Sequence, residues 1–190
     1  MKILVAGDLH FQKEKFESLN RLSIDCDVLC LTGDYLDDRL ADREDQIEWV
    51  SKWVLSNPKP IVMCSGNHDL DDLAECDWVY NLASKTVKID NSIWTHRGVN
   101  FGAVPYIGAR YSQFANCQVI VCHVPPSNTK TSQQDGIEFG DDDLYFSITR
   151  GVIRPGYVFC GHVEKPDKAM DRIGDTKIVN ASSNFYVIEI

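Results

Sequence analysis

Seven side chains in this sequence have types and spacing that could do chemistry together. Asp8 and His10 stand two apart, Asp34 follows Gly33, and Asn67 and His68 follow Gly66. His123 comes directly after an apolar run, and His162 comes one residue after another. Four of the chain's five histidines are in this set. One histidine beyond a strand is an ordinary structural residue. Four of them beside two carboxylates and an amide are hard to explain as packing, because buried polar groups need partners. A mixed nitrogen and oxygen donor set without thiolate suits Zn, Fe, Mn and related divalent ions. Two carboxylates, three or four imidazoles and an amide are enough ligands for two ions, so a dinuclear metal centre is expected.

The elements that must position these residues are legible as short apolar runs. Lys2–Ala6, Asp27–Leu31, Pro60–Met63, Gln118–Cys122 and Tyr157–Cys160 each precede one of the polar motifs and read as strands buried on both faces. Function in open α/β sheets gathers at the carboxyl ends of strands, where every one of these motifs stands. Between them, helical spacing predicts helices over Lys13–Ser23, Arg43–Leu55 and Asp141–Arg150. Further β segments are expected at Thr86–Ile89, Ser92–Thr95, Val99–Ala103, Lys177–Asn180 and Phe185–Ile190, with Asp90-Asn91 as a hairpin turn. Asp69 is read as the cap of a following helix in DLDDLAEC. The polar stretch Pro125–Gly140 is long for a loop and reads either as functional or as a solvated excursion. The expected architecture is α/β, one domain over residues 1–190 with two mixed β-sheets flanked by helices.

Composition narrows the function classes. The 190 residues are 44% hydrophobic and 25% charged, the balance of a folded soluble protein. No apolar run approaches the roughly 20 residues that span a bilayer, so no membrane role is expected. Nineteen Lys and Arg against 28 Asp and Glu give −9 at pH 7, which disfavours non-specific nucleic-acid binding by the chain alone. Cys30, Cys64, Cys122 and Cys160 sit in apolar runs and read as small buried hydrophobes. Seven cysteines without a pairing pattern, and a start that runs from Met1 and Lys2 straight into a strand, point to a cytoplasmic protein.

In order, GDLH, GDYLDD, GNHD, CHVPP and GHVE, from Gly7 to Glu164, strongly resemble the signature of the calcineurin-like metallophosphoesterase superfamily. The resemblance implies a four-layer α-β-β-α fold and two divalent metal ions. It places Asp8 and His10 on the first ion, Asp34 between both, and Asn67, His123 and His162 on the second. The family's last motif is Gly-His-x-His, and its final histidine joins the first ion; here Glu164 stands at that position. A carboxylate there still ligates and shifts preference towards harder ions, so Mn is favoured, with Fe, Mg, Zn or Ni as alternatives. The other reading is that Glu164 points away and the first site is weak.

The implied reaction is in-line attack on phosphorus by a hydroxide shared between the ions. His68 acts as general acid, with Asp37 holding its tautomer. The expected substrate is a small or nucleotide-like phosphodiester, or a monoester. The family's protein-phosphatase branch has Arg directly after the residue matching Asp37, whereas here Asp38 intervenes before Arg39, which argues against a protein phosphatase. Arg97 and Arg110 are within the range of residues that could reach a substrate phosphate, and His96 reads as structural. The alternatives are a phosphoesterase-fold scaffold that has lost its chemistry, and a nuclease working with a partner.

Overall fold

The computed structural model describes every residue from Met1 to Ile190 except Ala41 and Asp72. In chain order the described residues form β1 (Lys2–Ala6), α1 (Lys13–Leu22), β2 (Val28–Leu31), α2 (Arg43–Ser56), β3 (Ile61–Met63), α3 (Asp77–Tyr80), β4 (Val87–Lys88), β5 (Ile93–His96) and β6 (Val99–Ala103). There follow β7 (Val119–Val121), β8 (Gln133–Gln134), β9 (Ile137–Glu138), α4 (Asp142–Thr149), β10 (Tyr157–Cys160), β11 (Met170–Ile173), β12 (Thr176–Asn180) and β13 (Tyr186–Glu189). One sheet has the order β13-β1-β2-β3-β4, with β13 antiparallel to β1 and the rest parallel. The other has the order β11-β12-β10-β7-β6-β5 and is also mixed.

Strand periodicity explains the layers, because successive side chains point to opposite faces. On β1 and β2, Ile3, Val5, Val28 and Cys30 face the second sheet, where they meet Phe101, Val119, Val121 and Phe159 in a buried inter-sheet core. Leu4, Ala6, Leu29 and Leu31 face the other way, onto Phe16 and Leu19 of α1 and Val50, Trp53 and Val54 of α2. The far face of the second sheet, with Ile120, Val158 and Ile178, is covered by Leu144 and Ile148 of α4. The result is the expected four-layer arrangement of helices, sheet, sheet and helices. The start of α4 is fixed by Asp141, whose carboxylate accepts the Leu144 amide at 2.9 Å, an N-cap. All seven cysteines are free and buried. No helix among the described residues is long and apolar enough to cross a membrane.

Two local readings are corrected. Asp90-Asn91 does not close a hairpin, because the flanking strands belong to different sheets: β4 pairs parallel with β3, and β5 pairs antiparallel with β6. The Asp90 carboxylate accepts the Ser65 amide at 2.9 Å, tying this crossover to the loop after β3. The helix expected over Leu70–Cys76 is also absent among the described residues, Asp72 lying outside them. Asn67–Asp69 instead form one 3-10 turn, and the next helix begins at Asp77.

Candidate metal centre

All the motif residues leave strand ends on one edge of the two sheets. Asp8 and His10 follow β1, Asp34 follows β2, Asn67 and His68 follow β3, His123 follows β7, and His162 and Glu164 follow β10. The chain turns sharply there. Asp8, His10, Asp34 and His162 all have left-handed backbones, with φ of 51°, 44°, 57° and 70°. Non-glycine residues seldom adopt this conformation, and such strain concentrates at functional sites. The neighbouring glycines are required by close approach: a Cβ on Gly66 would collide with Asp34 Oδ1, and one on Gly161 with Asp8 Oδ2.

The inner side of the site is closed. Asp8, Asp34 and His123 are 1–2% exposed, and one ligand atom from each lies within 4.8 Å of the others. His123 Nδ1 donates to the Thr32 carbonyl at 2.7 Å, which leaves Nε2 facing Asn67 Oδ1 at 3.0 Å and Asp34 Oδ2 at 3.4 Å. His162 Nδ1 lies 3.0 Å from Asn67 Oδ1 and 3.2 Å from His123 Nε2, while its amide donates to Asp8 Oδ2 at 3.1 Å. Asp34 Oδ1 accepts the His68 amide at 2.9 Å.

Charge is unevenly shared here. Burial opposes a charge on His123, yet Asp34 and Asp8 outweigh it and raise the imidazole to about 9. Burial and the His123 charge drive His162 down to about 4. Burial would raise Asp34, but His123 beside it holds its carboxyl below the usual range. A lone proton on His123 thus answers two buried carboxylates, the electrostatic demand a bound cation meets.

The outer side is open. His10 is buried, and neither of its ring nitrogens makes a hydrogen bond. Its Nε2 lies 3.4 Å from Glu164 Oε1 and 4.0 Å from Asp8 Oδ1. His68 packs edge-on against the His10 ring, with Nε2 3.9 Å from Asp34 Oδ2. One ligand atom each of His10, Asp34 and His68 falls within 4.8 Å of the others. Orphaned imidazole nitrogens beside carboxylates, with no thiolate among them, fit a pair of divalent ions held by nitrogen and oxygen.

Two sequence assignments shift by geometry. Asp37 does not face His68: its Oδ1 accepts the backbone amide and Nε of Arg39 at 3.0 and 3.1 Å. Gln46 of α2 grips the Asp37 backbone from both sides and fixes that direction. Asp38 points at the imidazole instead, with Oδ1 3.1 Å from His68 Nδ1, outside hydrogen-bond alignment.

Asp69 caps no following helix. Fully buried, it accepts the amides of Asp34 and Gly66 on Oδ2 and those of Tyr35 and Leu36 on Oδ1. It is thus the clasp that holds the Asp34 loop, a role sequence reasoning missed because all but one of its partners are more than 30 residues away. Lys15 was missed too; its Nζ donates to the Asp8 carbonyl at 2.6 Å. Arg97 pairs with Asp27 at the opposite end of β2 from Asp34, and His96 stacks on Trp94, so neither belongs to the site.

Asp8, His10, Asp34, Asn67, His68, His162 and Glu164 line one cavity of about 240 Å³, together with Val163 and with Gln134 and Phe139 from the Pro125–Gly140 stretch. His123, outside that lining, stands behind Asn67 and Asp34, with Nε2 3.0 and 3.4 Å from their side-chain oxygens.

A family model described as calcineurin-like phosphoesterase matches residues 1–166. Several solved structures share the fold. One crystal structure superposes with a TM-score of 0.74 at 12% identity, over 95% of this chain and 90% of its own. TT1561 of Thermus thermophilus gives 0.69 at 14% identity, over 95% and 88%. An archaeal phosphodiesterase gives 0.56 at 14% identity, over 96% and 84%. No curated protein sequence matches this one.

Proposed function

Because this chain belongs to the calcineurin-like phosphoesterase family, we propose that it hydrolyses a small or nucleotide-like phosphodiester, with monoesters as poorer substrates. Residues 1–190 act as one catalytic domain in this reading. Asp8, His10, Asp34 and Glu164 hold a first divalent ion, and Asp34, Asn67, His123 and His162 a second. The convergence of donors from five strand ends on one cavity, with His10 left unpartnered inside it, carries the proposal. The diester preference draws on the archaeal phosphodiesterase of the same fold. Seven unpaired buried thiols support a reducing, cytoplasmic setting.

When bound, the ions supply Lewis-acid polarisation of the phosphoryl oxygens and a nucleophile available at neutral pH. The chain's residues do the rest. Asp34, clasped by Asp69, presents a fixed carboxylate at the centre of the site. Thr32 sets the His123 tautomer so that Nε2 is the donor atom. His68 is partly exposed at the cavity wall and free of strong hydrogen bonds, so its ring can turn to give a proton to the departing oxygen. Asp38 stands beside the ring, its Oδ1 3.1 Å from Nδ1. Glu164 is 63% exposed and adds a hard oxygen ligand next to His10, which favours Mn²⁺, Mg²⁺ or iron over Zn²⁺.

The test is hydrolysis of bis-p-nitrophenyl phosphate and p-nitrophenyl phosphate by metal-stripped protein with Mn²⁺, Mg²⁺, Fe²⁺, Zn²⁺ or Ni²⁺ restored. Turnover returns with metal, is faster on the diester, and is lost in Asp34→Asn. A folded protein inactive with every ion would remove the proposal and favour a scaffold role.

A further inference from the structure

The Pro125–Gly140 stretch carries a feature that neither packing nor the metal centre uses. Phe139 is 42% exposed, belongs to none of the three buried cores, and lines the cavity that holds the metal ligands. The exposed part of an aromatic ring contributes little to folding, since burial is what stabilises it.

The ring's support is nonetheless built with care. β8 and β9 form a hairpin through Asp135 and Gly136, both with positive φ as such tight turns require. The Phe139 amide donates to the Ser132 carbonyl at 2.9 Å, and Gly140 lies so close to Ser127 that a Cβ there would stand 2.5 Å from its Cα. Beneath the hairpin, the buried hydroxyls of Thr129, Thr131 and Ser132 bond one another. The buried Asn180 amide reaches the Thr131 carbonyl at 3.1 Å, and the Gln133 carbonyl takes the Asp167 amide at 2.7 Å. This support fixes the backbone that carries the ring before any ligand arrives, which lowers the ordering cost of stacking on it.

The cavity wall also lacks what an extended anion would need. No Lys or Arg is among its described lining residues, so beyond the phosphoryl group there is no cation to grip a phosphate tail. What remains is a planar apolar ring, Val163, and the Gln134 amide, whose oxygen is engaged by the Lys165 amide at 3.3 Å.

We propose that Phe139 is a specificity-determining residue that stacks on one ester substituent, so that the preferred substrates carry a planar aromatic group, such as a nucleobase or an aryl ring, next to the phosphoryl centre. This rests on the phosphoesterase reading of the same cavity.

The test uses two phosphonates, whose P–C bond does not hydrolyse: phenylphosphonate and propylphosphonate, bound to Mn²⁺-supplemented protein and followed by calorimetry. Wild type binds the phenyl compound about tenfold more tightly, in line with the worth of one stacked ring. That ratio falls to near one in Phe139→Ala and is kept in Phe139→Tyr. A ratio near one in wild type, a ratio unchanged in Phe139→Ala, or no binding of either compound overturns the proposal. Because neither phosphonate turns over, inactivity towards bis-p-nitrophenyl phosphate would strike the hydrolytic reading alone and leave this comparison readable.

Discussion

The two sides of the cavity are built to different standards. On the inner side Asp8, Asp34 and His123 are buried, and each is held by a second group: the His162 amide for Asp8, the Asp69 clasp for Asp34, the Thr32 carbonyl for His123. On the outer side the His10 ring has no hydrogen bond, Glu164 is largely in solvent, and His68 meets Asp38 without alignment. The inner donors are therefore preorganised, whereas the outer ones are not held in place by partners of their own. Preorganisation favours tight, selective retention, and looseness favours exchange and movement during turnover. The proposed proton donor, His68, lies on the loose side.

Substitutions on each side test this contrast. Asp69→Ala strikes the closed side by leaving four buried amides unpartnered. It should cost about 3 kcal/mol and lower the melting temperature by about 10 °C, read from thermal unfolding of metal-loaded protein. A shift under about 2 °C would mean that the Asp34 loop is held by something else. His68→Ala strikes the open side and should lower kcat by about a hundredfold with metal content unchanged, as measured by elemental analysis. Parallel loss of metal and activity would make His68 a ligand and erase the division of roles.

Glu164→His should tighten Zn²⁺ relative to Mn²⁺ at one of the two sites by about tenfold, followed by competitive metal titration. An unchanged profile would place Glu164 outside the ligand set. The smallest effect separates neighbours: Asp38→Asn should slow kcat by about threefold, and Asp37→Asn by less than about twofold, as fits a half-exposed polar contact. The reverse order would return the supporting role to Asp37.

What the sequence made legible follows the same divide. Strands with their ligands could be read because each is a local pattern: an apolar run buried on both faces, ended by a turn that only certain residues tolerate. That logic picked out Asp8, His10, Asp34, Asn67, His68 and His162, which line one cavity, and His123, which stands against Asn67 and Asp34. It failed where a partner is distant. Asp69 looks like a helix cap because its surroundings suit one, but its carboxylate is taken up by the Asp34 to Leu36 amides. Asp90-Asn91 looks like a hairpin because two β segments flank it, yet Ile89 is buried in the first core and β5 completes the other sheet. Asp37 and Asp38 differ by one step of a loop without periodicity, and only the grip of Gln46 decides which faces His68.

The buried cysteines have a practical consequence of a different kind. Each of the seven thiols is shielded, and burial pushes all of them above their ordinary range, so little thiolate is presented to a reagent while the chain is folded. They are spread over both sheets and the connections between them. Alkylation followed by peptide mass spectrometry would therefore act as a set of seven clocks, each timing how often its own stretch of the protein opens to water.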